Sequence, residues 1–255
     1  MIFRISGGLR ELVAATPIFR EWKRRGLGKV LVETYWPELF DVSNCVDRAA
    51  REIEDCSESV VDFDMVEWWL KPRPVTETYA IYALRDVRLG SWRCSISPSD
   101  EDICWASSVT GVCMSDVALV GEGVHVDVMD ALRDEGYDVI SLEGMKPIRI
   151  AAIACFADLY VGYEGDESAM AMVSDVPAVV MSGWMSPEFF RPFRNGVPYE
   201  VVEPDGCDDV KLCSEKRLLG ELGKVYGVRC EKGMSCRGSH SLESIMDAVR
   251  RTRNV

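Results

Sequence analysis

Apolar positions along the first fifty residues switch between the short runs typical of strands and the wider spacing of helices. A β-prone run, MIFRIS, is followed by a glycine turn and by ELVAATPIFREWKRRG, whose apolar residues have helical spacing. KVLVET then returns to a strand pattern. Pro17 lies within the helical pattern, so we expect the helix either to kink there or to begin there. This order of elements predicts a βαβ unit.

The pattern continues through the rest of the chain with one interruption. SVVDFD predicts a strand and TETYAIYALRDVRLG a helix, but residues 91–115 are rich in Ser, Cys and turn formers, and we expect a linker or a domain edge there. A second series follows, in which four strand patterns alternate with the helical patterns HVDVMDALRDEGY, PIRIAAIACFA and ESAMAMVSD. SLESIMDAVRRT predicts a final helix. The alternation in both halves predicts an α/β protein with two parallel-sheet domains that face each other.

Composition narrows the function classes. The chain has 255 residues, enough for two small domains, and its 29 Lys and Arg against 42 Asp and Glu give a net charge of −13. This charge disfavours a protein that coats nucleic acid without regard to sequence. The chain also lacks both the roughly 18 to 20 apolar residues of a membrane-spanning helix and the apolar core of a signal peptide. We therefore expect a cytoplasmic protein with reduced cysteines.

The glycine turn after the first strand is the strongest local signal for a ligand site. Gly7 and Gly8 lie where the carboxyl end of the first strand meets the helix, which is where ligands bind in doubly wound folds. Arg10 and Glu11 follow directly. The pattern is not a dinucleotide fingerprint, because G-x-G-x-x-G is absent. From spacing alone, a tight turn with an exposed Glu and a solvated Arg explains these residues as well as a site does.

Two regions, together about half of the chain, resemble the glycosyltransferase family that includes the bacterial lipopolysaccharide heptosyltransferases. The first is GGLRELVAATPIFREWKRRG with KVLVETYWPELF and VDRAA, which is similar to a family opening of G-x-G-D followed by A-T-P. Counted back from Ala15-Thr16-Pro17, Glu11 falls at the family's Asp and Arg10 at its second Gly. The second region, from Pro147 to Phe193, resembles the family's nucleotide-sugar segment.

The resemblance implies a GT-B type fold, in which two Rossmann-like domains face each other across a cleft. Residues 1–100 would form the acceptor side and 101–240 the nucleotide-sugar domain, with a C-terminal helix at 241–255 that could pack back on the first domain. The implied reaction is a metal-independent, inverting transfer of a hexosyl or heptosyl group from a nucleotide-diphosphate sugar to a hydroxyl. A saccharide such as lipopolysaccharide core is the first expectation for the acceptor.

The resemblance also implies roles for individual residues. Glu11 would be the base that takes the acceptor proton, and Arg10 would face the departing diphosphate. Gly7, Gly8 and Thr16 would form the acceptor loop. The residues expected at the donor follow two strands of the second domain, and they are Glu164, Gly165, Asp166, Glu167, Ser168, Gly183 and Ser186. An ordinary helix N-terminus explains the group at 164–168 equally well, because acidic residues there favour the helix dipole.

Departures from the family pattern leave two alternatives open. Where the family has a Gly and a His after the acidic position, this chain has Asp166 and Ala169, and VGEGVHVDV offers no counterpart of the family's phosphate-binding cation. One alternative is therefore a non-catalytic protein that binds a nucleotide sugar. The other is a phage-type glycosyltransferase that modifies a hydroxymethylated DNA base, with DNA docking on the basic run REWKRRGLGK. The net charge disfavours this second alternative.

Cysteines and histidines provide little evidence for a metal. Cys207, Cys213, Cys230 and Cys236 are separated by 5, 16 and 5 residues, unlike the short gaps of structural zinc sites, so zinc is not expected. His125 and His240 have no partnering motif and are expected at the surface. We expect no cofactor beyond the nucleotide-sugar co-substrate.

Overall fold

The computed structural model describes residues 1–54, 58–65, 74–91, 93–94, 96–183, 197–205 and 238–253, and within them the chain forms two parallel β-sheets. The first sheet has the strand order β3-β2-β1-β4. Its strands are β1 (Ile2–Ile5), β2 (Leu31–Thr34), β3 (Arg48–Ala50) and β4 (Val60–Asp62). The second sheet has the order β6-β5-β7-β8-β9. Its strands are β5 (Val117–Val120), β6 (Asp138–Ser141), β7 (Leu159–Tyr163), β8 (Ala178–Met181) and β9 (Tyr199–Val202).

Helices pack on both sheets, as expected for parallel strands joined by crossovers. They are α1 (Leu9–Arg24), α2 (Val75–Leu84), α3 (Asp100–Thr110), α4 (Val126–Asp134), α5 (Pro147–Ala154), α6 (Asp166–Ala171) and α7 (Leu242–Arg253). None of these described helices has the length and apolar character that crossing a bilayer requires. The α/β class predicted from the sequence is confirmed.

Helix α1 runs through Pro17 without ending there. A proline lacks the N–H that would bond to the carbonyl of residue 13, but the Thr16 hydroxyl donates to the Val13 carbonyl at 2.9 Å and satisfies it. Of the two expectations for this helix, a start at Pro17 is therefore wrong. Thr16 is fully buried in this structural role, away from the glycine turn.

Residues 91–115 contain a helix that the sequence analysis missed. Ser99 accepts a hydrogen bond from the Asp102 amide at 3.2 Å, and the Asp102 carboxylate accepts one from the Ser99 amide in return, a capping box at the start of α3. The acidic run DED is thus the first turn of this helix, where carboxylates favour the dipole. It does not mark a linker.

Strand order reverses once in each sheet, and each reversal leaves a crevice in which a ligand can bind. In the first sheet the chain moves outward from β1 through β2 to β3, and β4 then pairs with the other edge of β1. In the second sheet β6 and β7 lie on opposite edges of β5. Ligands of open α/β sheets bind beside the carboxyl ends of the strands at such reversals. The first crevice therefore lies between the ends of β1 and β4, and the second between the ends of β5 and β7.

One apolar cluster of buried side chains joins the two sheets. It contains Phe3 and Ile18 from the first unit together with Leu119, Ile153 and Met170 from the second. Helix α1 packs directly on α6. This contact brings the first turns of the two helices together and fixes the two crevices relative to each other.

Helix α7 packs on the second sheet. Its buried side chains, among them Ile245 and Val249, belong to a cluster with Val161 of β7 and Val179 of β8. Helix α7 also contacts β9 and α4. This location differs from the position that the sequence analysis considered for residues 241–255, across the first domain.

Glu21 anchors the segment that connects the two units. Its carboxylate, only 2 % exposed, accepts hydrogen bonds from Arg24 at 2.7 Å, from Arg25 at 2.6 Å and from the Gly90 amide at 3.1 Å. The hydrogen bonds from Arg24, Arg25 and Gly90 outweigh burial and lower the pKa of Glu21 to about 2. The ionised carboxylate therefore stabilises the fold.

We expect acid to remove this stabilisation. The Glu21 pKa is 4.5 in the unfolded chain and about 2 in the fold, so the contribution is complete above pH 4.5 and is lost as the pH falls towards 2. It amounts to roughly 3 kcal/mol at most. Urea unfolding of wild type and Glu21→Gln between pH 2 and 7 measures it as the difference between the two free energies of unfolding. A difference that does not change with pH would contradict this assignment.

Candidate functional site

The first crevice is organised by an aspartate that follows β4. Asp64 accepts hydrogen bonds from the Ser6 amide at 2.9 Å and from the Gly7 amide at 3.2 Å, and a short one from the Ser6 hydroxyl. These bonds fix the turn between β1 and α1. The turn in turn positions the first residues of α1, whose N-cap is Gly8.

Glu11 projects from the first turn of α1 with one carboxylate oxygen out of solvent. Among the described residues its Oε2 has no hydrogen-bond partner. Burial raises the pKa of Glu11, and the neighbouring Arg10 charge opposes this only in part. A Cβ placed on Gly8 would lie 2.9 Å from this oxygen, so a side chain at this position would displace the Glu11 carboxylate. A carboxylate in this environment is a strong proton acceptor when ionised.

Asp166, the first residue of α6, reaches across to the first unit. Its Oδ1 accepts a hydrogen bond from the Arg10 amide at 3.3 Å and lies 3.9 Å from the Arg10 Nε. The same oxygen would be 3.1 Å from a Cβ on Gly8. The structure thus brings Gly7, Gly8, Arg10, Glu11 and Asp166 together where the units meet.

The second crevice contains another carboxylate bonded to a loop amide. Glu167 accepts a hydrogen bond from the Glu122 amide, just after β5, at 2.6 Å. Beneath this loop lies the hydroxyl of Tyr160, a fully buried side chain of β7, and this hydroxyl has no hydrogen-bond partner within the described part of the chain. Burial and then the Glu167 charge raise the pKa of this hydroxyl, which keeps it protonated.

The other residues predicted to bind the donor sugar nucleotide differ in their surroundings. Glu164 and Gly183 are neighbours, since a Cβ on Gly183 would lie 3.0 Å from the Glu164 Oε1. The Ser168 hydroxyl bonds within its own turn, because it donates to the Gly165 carbonyl at 2.8 Å and accepts from the Gly165 amide at 3.0 Å. Ser186 lies outside the described residues, as do Cys207, Cys213, Cys230 and Cys236. The described residues contain no group of His, Cys, Asp and Glu that could hold a metal ion.

Sequence reasoning missed Asp64, Tyr160 and the location of His240. Asp64 could have been found from its place after a strand that pairs with β1, but the pairing is not visible in the sequence. His240 is half-buried, with its Nε2 2.9 Å from the Ser182 carbonyl, and burial lowers its pKa. Because a carbonyl only accepts, the Nε2 carries the proton. His125 is exposed at the surface, as expected.

The basic run at the end of α1 lies far from both crevices. Helix α1 has 16 residues, so its last turn is about 24 Å from the glycine turn, at the opposite edge of the sheet. Three of its cations also have partners: Lys23 pairs with Asp47, and Arg24 and Arg25 pair with Glu21. This basic run therefore does not support the hypothesis of a DNA substrate that docks beside the crevices.

Solved structures share this architecture over nearly the whole chain. A glycosyl transferase of family 9 from Veillonella parvula has a TM-score of 0.70 at 12% identity, covering 98% of this chain and 96% of its own. TibC from enterotoxigenic E. coli, described as an iron-containing dodecameric glycosyltransferase, has a TM-score of 0.66 at 12% identity, with 99% and 75% covered. The chain has the GT-B fold.

The E. coli ADP-heptose lipopolysaccharide heptosyltransferase II has the same fold, with a TM-score of 0.52 at 10% identity over 79% of this chain and 90% of its own. A further structure of TibC is of its complex with ADP-D-β-D-heptose. No protein-family model and no curated protein matches the sequence. The likeness expected from the sequence motifs is confirmed at the level of the fold.

Proposed function

We propose that this protein is an inverting glycosyltransferase that moves a sugar from a nucleotide-diphosphate sugar to a hydroxyl group of a saccharide. The observation that supports the proposal most directly is Glu11, whose buried carboxylate oxygen stands without a hydrogen-bond partner among the described residues where the two crevices meet. The GT-B fold supports the same chemistry, because the similar structures are described as glycosyltransferases and heptosyltransferases.

The reaction needs a proton acceptor beside the anomeric carbon. In our proposal the ionised Glu11 takes the proton of the acceptor hydroxyl as its oxygen forms the new bond to that carbon. The bond from the anomeric carbon to the diphosphate oxygen breaks on the opposite face, so the configuration inverts. The diphosphate leaves with the electron pair, and the Arg10 guanidinium stabilises its charge. No described residue cluster provides a metal site for this step.

The carboxyl edge of the first sheet suits a saccharide acceptor. Tyr35 follows β2 at the carboxyl edge of the first sheet and is 59 % exposed, and its ring packs edge-on against Trp36 at 6.1 Å between centroids. An exposed aromatic ring offers an apolar face to a sugar. We place the acceptor on this side and the donor nucleotide in the second crevice, beside Glu164 and Gly183.

A ligand screen followed by a transfer assay tests the proposal. Thermal shifts with ADP-, UDP-, GDP- and CDP-linked sugars are expected to identify a donor, because a ligand at 100 times its dissociation constant stabilises the fold by about 2.7 kcal/mol. Incubation of that donor with saccharide acceptors is expected to release the nucleoside diphosphate. Binding without transfer or donor hydrolysis across the panel would instead favour the non-catalytic nucleotide-sugar-binding protein.

A further inference from the structure

Two adjacent carboxylates of α6 accept hydrogen bonds from two different parts of the chain. Asp166 lies at the N-terminus of α1, on the Arg10 amide and near its guanidinium. Glu167 lies on the Glu122 amide of the loop after β5. Helix N-termini, guanidinium groups and loop amides are the donors that phosphate oxygens bind in proteins. Each carboxylate therefore occupies N–H groups to which a phosphate group would bind.

The Tyr160 hydroxyl points independently to an anion at the second of these places. A Cβ on Gly121 would lie 2.9 Å from the hydroxyl oxygen and 3.0 Å from the Glu167 Oε2, so both groups border the same glycine. The hydroxyl is fully buried and bonds to no described residue. A buried hydroxyl without a partner destabilises the fold, and native proteins contain few such groups. Here it is a donor available to an oxygen that replaces the Glu167 carboxylate.

The charge balance around the crevice makes simultaneous occupancy unfavourable. Glu11 lies beside Asp166, since a Cβ on Gly8 would be 2.9 Å from the Glu11 Oε2 and 3.1 Å from the Asp166 Oδ1, and Glu164 lies between β7 and α6. A diphosphate added beside these carboxylates would bring like charges together, and their repulsion would oppose its binding. Nothing lies within 4 Å of a Cβ placed on Gly165, the N-cap of α6, so the space beside this residue is open.

We propose that Asp166 and Glu167 hold the places of the donor's two phosphate groups in the free protein, and that the donor must displace them to bind. This inference rests on the proposed function. The carboxylates of Asp166 and Glu167 would then compete with nucleoside diphosphates for the same hydrogen-bond donors. This competition would set the affinity for the donor and for the released product. These two carboxylates lower the affinity for the diphosphate group alone and leave the affinity for the nucleoside unaffected.

Calorimetric titration with inorganic pyrophosphate, nucleoside diphosphates and plain nucleosides tests the proposal. The double variant Asp166→Asn, Glu167→Gln is expected to bind pyrophosphate and diphosphates at least tenfold more tightly than wild type, with nucleoside affinity unchanged. Adding Tyr160→Phe to the double variant is expected to weaken its pyrophosphate and diphosphate binding at least threefold. Asp175→Asn is the matched control, an exposed carboxylate paired with Arg93 at 2.8 Å, and is expected to change neither affinity.

The single variants decide the question if the double variant does not fold. Unchanged or weaker diphosphate binding in the folded variants would overturn the inference, and the proposed function would stand if wild type still transfers sugar. A tenfold gain in pyrophosphate affinity, with no transfer from any donor by wild type, would keep the inference and refute the proposed function. An equal gain for plain nucleosides would show that the substitutions only loosen the crevice, and would also overturn the inference.

Discussion

Glu11→Gln is expected to lower kcat/KM for sugar transfer by about 10²- to 10⁴-fold, the contribution of a general base. Glutamine preserves the size of the side chain but cannot take a proton from the acceptor hydroxyl. Because burial raises the pKa of Glu11, wild-type activity is also expected to rise with pH above the ordinary glutamate range, as the carboxylate ionises. Initial rates between pH 4 and 9, measured with the donor found in the ligand screen, test both expectations.

The same substitution is expected to leave the fold at least as stable as wild type at pH 7. A glutamate whose pKa is raised by folding is most favourable below its unfolded pKa of 4.5, and its ionisation costs stability as the pH rises through the folded value. The advantage of Gln over Glu in the free energy of unfolding should therefore grow from pH 4 to 8. Loss of activity together with gain of stability is the signature of a functional carboxylate and not of a structural one.

Glu101→Gln is the matched control, because Glu101 also lies in the first turn of a helix but is exposed. It should retain full activity. Glu11→Asp, which introduces the residue type found in the pattern that the sequence resembles, should retain measurable transfer. Full activity in Glu11→Gln would show that another group takes the proton.

Gly162→Ala is expected to give the largest loss of stability among single-methyl additions near the second crevice. A Cβ at this position of β7 would lie 2.2 Å from the Tyr160 hydroxyl oxygen and 2.6 Å from the ring carbon that carries it. The ring is fully buried and has no free space to enter. Overpacking of this kind costs roughly 1 to 3 kcal/mol, occasionally more, so we expect a value at the upper end of that range.

Chemical unfolding of Gly162→Ala beside Gly165→Ala measures this effect. Gly165 is three residues away and has no atom within 4 Å of an added Cβ, so its substitution should change the free energy of unfolding by only a few tenths of a kcal/mol. Equal stability of the two variants would mean that Tyr160 does not occupy the place beneath Gly162. Nucleotide affinity of Gly162→Ala should fall as well, because the displaced ring borders the second crevice.

Strands and helices with strong periodicity were predictable, and marginal elements were not. Helices such as α4 and strands such as β7 have apolar faces that the sequence displays directly. Strand β3 was missed because Arg48–Ala50 is short and lies at the edge of its sheet, where burial imposes no apolar pattern. Helix α3 was missed because its capping box, Ser99 with Asp102, uses an aspartate where the usual motif has Glu or Gln.

The candidate site was predictable where it follows a single turn and hidden where it depends on long-range packing. Glu11 and Gly8 could be identified from the first strand-to-helix turn alone. The contact between Arg10 and Asp166 joins residues 156 positions apart, and it exists only because α1 packs on α6. The bond from Glu122 to Glu167 likewise requires β5 and β7 to be neighbours, which no local pattern reveals.

The apolar cluster shared by the two sheets has a consequence for how such a protein can change over time. Domains with separate cores can be exchanged, duplicated or recombined as independent modules. In this chain Phe3 and Ile18 lie in the same core as Ile153 and Met170, so a half taken alone would expose an apolar face to water. The two units are therefore expected to be inherited together, and new specificity is expected to arise in the loops at the two crevices.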